Sequence, residues 1–396
     1  MRKKKVSLLV KIIIAILLGI AFSFFFPNWL TQIFVTFNSL FGNFLNFIIP
    51  LLILGLVAPG IAELGKGAGK MLGVTAAIAY ASTVIAGLFS YFTCRWSYPH
   101  ILNPEGFSFD AAMSSTTSLA PYFTVEMPPL FGVMSALILA FVLGLTLAVI
   151  EGKYLRNALF ELREVIMIII KKVIIPLLPI YIFGIFLKMG AEGAVGSVMT
   201  VFLKVIIVIF AMHIIWLVLQ FVVAGMIAGK NPFVSLKNMF PAYMTALGTQ
   251  SSAATIPVTL AQAKKNGVRD EIGDFVIPLC ATIHLSGSTL KIVACAFAVS
   301  FMLGNSLDLG LYLKFIMMLG ITMVAAPGVP GGAIMAALGV LSSILGFTDE
   351  MNALMIALYI AMDSFGTACN VTGDGAIAMI VNKLFKKDKS EEPIVA

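Results

Sequence analysis

Asp363-Ser364-Phe365-Gly366-Thr367-Ala368-Cys369-Asn370-Val371-Thr372-Gly373-Asp374 is the stretch that decides the fold, because it sets polar residues inside a C-terminal segment, 351–383, that is otherwise apolar. Asp363, Thr367, Asn370 and Asp374 are offset by 4, 7 and 11 residues. At about 100° per residue these offsets return to nearly one angle, so the four share one helix face. An ionised aspartate at bilayer depth costs at least about 2.5 kcal/mol, and such residues face a bundle interior where a cation or an amine compensates them. The stripe is therefore the candidate ion and substrate site. Its two anions are expected to be neutralised by mobile cations, an expectation that a fixed clamp of lysines would contradict.

The rest of the chain places this stripe in a membrane. Of its 396 residues 60% are hydrophobic and only 11% charged, where a soluble domain carries about 25% charged residues. Apolar stretches of spanning length run over 6–26, 33–60, 70–94, 128–150, 157–190 and 194–228, before a more broken region and then 351–383. Several exceed the length a perpendicular crossing needs, which predicts tilted or bent helices. The net charge of +7 does not point to nucleic acid, since the basic residues lie in short tracts between apolar segments. Assigned to alternating sides, 18 of the 26 Lys and Arg fall on one side, and Arg95, Lys188 and Lys314 on the other. That asymmetry predicts cytoplasmic termini, an even number of crossings, best fitted by eight, and a cell-membrane location. Arg2-Lys3-Lys4-Lys5 precedes an apolar run without a small-residue cleavage site, which reads as an uncleaved first helix. Cys94, Cys280, Cys295 and Cys369 lack metal spacing, so neither a disulfide nor a zinc site is expected.

Pro27, Pro50, Pro176 and Pro179 mark kinks or boundaries in the first six segments. Beyond about 232, two half-length apolar pieces correspond to each other. One runs through Gly248-Thr249-Gln250-Ser251-Ser252-Ala253-Ala254-Thr255-Ile256-Pro257, the other through Ala325-Ala326-Pro327-Gly328-Val329-Pro330-Gly331-Gly332. Each precedes a long apolar segment with polar residues in mid-span: Thr282, His284, Ser286 and Ser288 after the first, the aspartate stripe after the second. Interrupted segments in corresponding positions point to an inverted-repeat transporter with a midplane site. Non-helical backbone survives at that depth only where it is buried in protein or lines a cavity. Free helix N-terminal amides there suit a carboxylate, and unwound carbonyls suit sodium.

These motifs resemble the dicarboxylate/amino acid:cation symporter family. The likeness runs from Phe47-Ile48-Ile49-Pro50-Leu51 to Asn370-Val371-Thr372-Gly373-Asp374, and includes Ser251–Thr259 and Gly328–Gly332 as the two hairpin tips. The resemblance implies an all-α polytopic fold of eight transmembrane helices plus two re-entrant hairpins, assembled as a homotrimer in the lipid bilayer. Scaffold helices would occupy 1–69 and 128–192. Residues 70–127 and 193–390 would hold the unit that moves like an elevator. By the same resemblance Asp363 holds the substrate amino group, and Thr367 and Asn370 contact its polar atoms. Ser288 and Gly366 also belong to the substrate site, over which Ser252 and Val329 close. Asp374 with carbonyls of Cys280, His284 and Asn370 would bind one sodium ion. Carbonyls of Thr282, Met323, Val324 and Ala326 would bind a second when the second hairpin closes.

Two departures from the family pattern bear on the cargo. Acidic-substrate members carry an arginine three residues after the first aspartate of the stripe, where this chain has Gly366, or supply one from the first hairpin, where it has Gln250. A second substrate carboxylate would lack a bidentate partner, so a small neutral amino acid of serine, threonine or alanine size is expected. An arginine placed at 366 is expected to shift preference toward acidic substrates if there is room for its guanidinium. In the family's seventh helix, here the span through 284–288, the aspartate of a third sodium site is replaced by Ser286, with Ser82 and Thr83 as the remaining partners, which predicts two coupled sodium ions. His284 reads either as a titrating group or as a neutral histidine bonded within the helix-7 bend. His100 and His213 read as structural or incidental, and Lys171, Lys172, Lys204 and Lys291 as salt-bridged or, by preference, snorkelling toward an interface. The runner-up is an aspartate, glutamate or C4-dicarboxylate carrier in which another cation replaces the missing arginine. A channel, a sensor, or a hydrolase using Ser251 or Ser252 with His284 are the readings from other classes. The expected protein is not an enzyme.

Overall fold

Apolar sequence whose backbone groups must all find internal partners in a bilayer folds as helix. The computed structural model of the chain describes residues 8–64, 69–102, 119–150, 152–191, 195–324, 326 and 330–385, and the regular structure among them is entirely helical. In chain order the elements are α1 (Leu8–Ser23), α2 (Asn28–Leu64), α3 (Gly69–Ile101), α4 (Val133–Val149) and α5 (Lys153–Ile169), which continues through a π turn (Ile170–Ile174) into α6 (Ile175–Ala191). Then come α7 (Val195–Ala228), α8 (Pro232–Asn238), α9 (Phe240–Thr249), α10 (Ser252–Lys265), α11 (Asp270–Ile283) and α12 (Ser286–Met302). The last four are α13 (Leu309–Met323), α14 (Gly332–Leu345), α15 (Asp349–Ala361) and α16 (Asp363–Leu384).

The prolines act as their chemistry dictates. Pro27 separates α1 from α2, whereas Pro50 lies inside the unbroken α2. The π turn sits just upstream of Pro176 and Pro179, where a widened turn accommodates rings that lack an N–H and crowd the preceding carbonyls.

Eight crossings are expected from the charge pattern. On length and hydropathy, five of the described helical segments can cross a membrane, or six if the bent pair α15–α16 is one span. Four shorter apolar helices, including α13 and α14, accompany them. The half-length pieces form two helical hairpins. Gln250, at φ 54°, ends α9, and the Ser251 hydroxyl accepts from the Ala254 N–H to start α10. In the second hairpin α13 stops at Met323 and α14 begins after Gly331, whose φ of 75° favours glycine. Val329, expected at this tip, lies outside the described residues.

Two breaks shape the polar centre. The segment 351–383, read as one helix, is two: α15 and α16 meet at 63° around Met362. Asp363 thus opens a helix, where the dipole favours an anion. The α11–α12 span breaks at His284 and Leu285, which leave helical geometry.

α2 packs against α4, α5 and α6, and α1 against α6, while α16 is surrounded by α7, α9, α10, α11 and α12. Among the five helical segments able to cross a membrane, the α11–α12 span is the most enclosed, with 94% of its most apolar 18 residues buried against 33% for α3 and for α5–α6. Leu17, Ile138, Leu145, Ile207 and Ile214 point outward and exposed, as lipid-facing side chains do. The four cysteines are buried free thiols.

Candidate functional site

The break before Asp363 places its carboxylate at the end of α16, 4% exposed. One oxygen, Oδ2, accepts the Gly331 N–H at 2.7 Å, so the second hairpin is docked on the stripe. The other, Oδ1, lies 3.6 Å from Lys291 Nζ. Lys291 is wholly buried in α12, donates to the Tyr359 carbonyl at 3.2 Å and stands 3.3 Å from the centroid of the Tyr359 ring.

This corrects two expectations. Lys291 does not snorkel, because mid-way along the most enclosed helix its stem reaches no interface and its only compensation is internal. Asp363 does not rely on mobile cations alone, because a protein ammonium stands beside it. Of the other three lysines, Lys171 and Lys172 are exposed, and Lys204 donates to the Ile101 carbonyl at 2.8 Å.

Gly366 explains how the lysine fits. A Cβ at this position would meet Lys291 Nζ at 3.0 Å, Lys291 Cε at 3.3 Å and Ser288 Oγ at 3.7 Å. The cation missing from α16 therefore arrives from α12 and occupies the space into which a side chain at 366 would project. An arginine substituted there alone meets a like charge and lacks the room on which the expected shift toward acidic substrates depends.

Around this pair the polar groups are mutually bonded. Ser288 Oγ accepts from the Tyr359 hydroxyl at 3.1 Å and from Asn370 Nδ2 at 3.0 Å. Asn370 Oδ1 accepts the Gly287 and Ser288 N–H groups at 2.8 and 3.2 Å, capping amides that the α12 N-terminus leaves without intrahelical partners. His213 Nε2 lies 3.0 Å from the Gly287 carbonyl, a bracing contact from α7. Thr367 is buried one turn beyond Asp363, and Ser252 is buried as the first residue of α10, which packs on α16.

The second carboxylate also has a protein partner. Asp374, 1% exposed, places Oδ1 2.9 Å from His284 Nδ1. His284 Nε2 is 3.0 Å from Ser82 Oγ and 3.4 Å from Gln220 Nε2, and that amide donates to Ser82 and Ser286 at 3.1 and 3.3 Å. The His284 ring therefore bonds beyond its own helix bend, tying α16 to α3 and α7. Gln220, Tyr359 and the Gly331 amide join the site without having been read from the sequence.

Five of the expected sodium ligands, Cys280, Thr282, His284, Met323 and Val324, sit at helix ends, whereas Asn370 and Asp374 lie within α16. The last-turn carbonyls of α11, on Cys280 and Thr282, and those of Met323 and Val324 at the end of α13 carry the partial negative charge of helix C-termini. The Cys280 carbonyl accepts the His284 N–H, and the Met323 carbonyl accepts the Ala326 N–H, each retaining a second lone pair. Val324 packs on the apolar cluster that contains Cys280 and Ile283. The Thr282 side chain is exposed and donates to the Leu279 carbonyl of its own helix at 2.7 Å. A cavity of about 390 Å³ lies elsewhere, among Asn38, Asn43, Lys188, Asp349 and Glu350. Its Asp349 is already held by Asn46.

Broken helices converging on buried charges within a bundle of apolar spans define a membrane transport protein. More narrowly, the chain belongs to the sodium:dicarboxylate symporter family, whose pattern matches residues 8–384. It is accordingly a secondary transporter and not an enzyme. It is 27% identical over 383 residues to the serine/threonine transporter SstT of Acinetobacter baumannii (strain AYE), covering 93% of this chain and 95% of that protein. A serine/threonine transporter SstT of Acinetobacter baylyi is 25% identical over 407 residues, covering 96% and 98%. Excitatory amino acid transporter 1 of Rattus norvegicus is 30% identical over 244 residues, covering 60% of this chain and 44% of that protein.

Proposed function

We propose that the protein is a symporter that couples uptake of a small neutral amino acid, of serine, threonine or alanine size, to sodium. The observation that carries this reading is the buried Asp363, held by a backbone amide on one oxygen and only loosely by a cation on the other. Such a carboxylate suits an amine. Ser288, Thr367 and Asn370, all buried, would contact the substrate's polar atoms, and Ser252, at the start of α10, would close over it together with Val329. The near full-length relatives named as serine/threonine transporters support the substrate size.

Asp374 with carbonyls of Cys280, His284 and Asn370 takes one sodium ion. Thr282, Met323, Val324 and Ala326 take another. Ser286, uncharged, leaves a third site without a compensating anion. Asp374→Asn is expected to lower apparent sodium affinity by about tenfold or more, since a charge-assisted ligand becomes a neutral one. Sodium titrations of the serine-induced thermal shift measure this, and an unchanged titration removes Asp374 from the ion site.

The same reading takes the chain as eight spans with the hairpins α9–α10 and α13–α14, both termini cytoplasmic, in a homotrimer of the cell membrane. Residues 1–69 and 128–192 form the scaffold, and 70–127 and 193–390 the moving unit. The mutual packing of α1, α2, α4, α5 and α6, and of α16 with its neighbours, supports that division.

A second reading has one observation in its favour. Lys291 Nζ beside the Gly366 position supplies the cation that an aspartate, glutamate or C4-dicarboxylate would need. Proteoliposomes loaded with a sodium gradient separate the two readings. Labelled serine should accumulate and labelled aspartate should not, whereas aspartate uptake without serine uptake overturns the proposal. Binding without accumulation identifies a sensor, and flux that does not saturate identifies a channel.

A further inference from the structure

We infer that Lys291 is a tethered cation that neutralises Asp363 in the empty carrier, and that an arriving amino acid opens this pair, its ammonium taking Asp363 and its carboxylate taking Lys291. The inference rests on the amino-acid reading of the site.

The pair is poised to open. At 3.6 Å it is longer than the 2.7–2.9 Å of a direct ammonium–carboxylate hydrogen bond, so Asp363 Oδ1 retains capacity for a better donor. Lys291 has two further partners, the Tyr359 carbonyl and the face of the Tyr359 ring, both neutral, and these hold the ammonium in line when Asp363 is engaged elsewhere. Ser288 Oγ and Lys291 Nζ lie 3.7 and 3.0 Å from the point where a side chain at 366 would begin. A hydroxyl and an ammonium thus stand together beside a glycine, two groups that a carboxylate bonds once the pair opens.

The charge count favours the same cycle. Asp363 and Lys291 sum to zero, and a neutral amino acid, as a zwitterion, leaves that sum unchanged. A bare carboxylate carried through a low-dielectric region would bear a desolvation cost, which the lysine removes when no substrate is bound. The empty unit can therefore return with its amine subsite neutral and without borrowing a cation there. Net uptake then proceeds without a second amino acid to exchange.

The test compares two fluxes in the same proteoliposomes: net serine uptake into empty vesicles, and exchange against internal serine. Lys291→Met removes the charge at similar length, and Lys291→Gln also keeps a donor for the Tyr359 carbonyl should the methionine variant fail to fold. With the charge gone, net uptake should fall by about tenfold or more relative to exchange, because Asp363 returns unpaired. Lys291→Arg should restore net uptake at least in part. Fluxes that fall together in both neutral variants, or a net-to-exchange ratio equal to that of the wild type, overturn the inference. A wild-type protein that exchanges no serine overturns the amino-acid reading and this inference with it.

Discussion

Serine binding is lost in Asp363→Asn. The amide can still accept the Gly331 N–H that Asp363 Oδ2 accepts, so hairpin docking has a substitute. The charge does not. Losing one partner of a desolvated, hydrogen-bonded charge pair costs about 2–5 kcal/mol, a loss of roughly thirty- to several thousand-fold in affinity. The same substitution strands Lys291, wholly buried and 3.6 Å from the altered oxygen. Removing one member of a buried pair destabilises by about 3–5 kcal/mol, so the single variant mixes lost binding with lost stability. Asp363→Asn combined with Lys291→Met separates the two effects. With both charges gone, the unfolding temperature should recover toward that of the wild type while calorimetric titration with serine stays flat. Micromolar serine binding in the double variant would remove Asp363 from the amine subsite.

The ease with which the stripe is read follows from its period. Asp363, Thr367, Asn370 and Asp374 need only the helix angle to be placed together, and all four lie buried in α16. The bend in front of them was not legible, because Met362 is an ordinary apolar residue and neither glycine nor proline marks the turn. The break belongs to packing: α15 and α16 leave in different directions, and the Gly331 N–H meets the first carboxylate. Gln250 is a similar case. A positive φ is expected of a glycine, yet the first hairpin turns at Gln250, two residues beyond Gly248.

Lys291 shows a different kind of failure. His284, Ser288 and Lys291 are spaced by four and three residues, as Asp363, Thr367 and Asn370 are, so the sequence carried a second polar stripe ending in a cation. A lysine in an apolar stretch can reach an interface or pair internally, and the stripe alone does not say which. Gln220 was visible as a lone amide amid Trp216, Leu217, Val218 and Leu219, but its partner Ser82 is 138 residues away, a distance no local pattern spans.

That second stripe also decides what an arginine at 366 would do. Gly366→Arg alone should lose serine transport without gaining aspartate transport. Its Cβ would press on Lys291 Nζ at 3.0 Å and Cε at 3.3 Å, and its guanidinium would place a second positive charge in an enclosed site. Combining it with Lys291→Met changes both terms. The net charge of the site returns to its original value, and a flexible thioether that fills irregular space replaces the ammonium. The guanidinium, now projecting from α16 near Asp363, offers the planar fork that a substrate side-chain carboxylate pairs with in two parallel hydrogen bonds. Competition uptake with labelled serine and labelled aspartate should then show preference moving toward aspartate by about tenfold or more, the scale of one charge-assisted contact. If the single variant is active with an unchanged profile, the guanidinium has found room beside Lys291. The ammonium then does not hold the space at Gly366, and the cation that sets substrate charge must lie elsewhere.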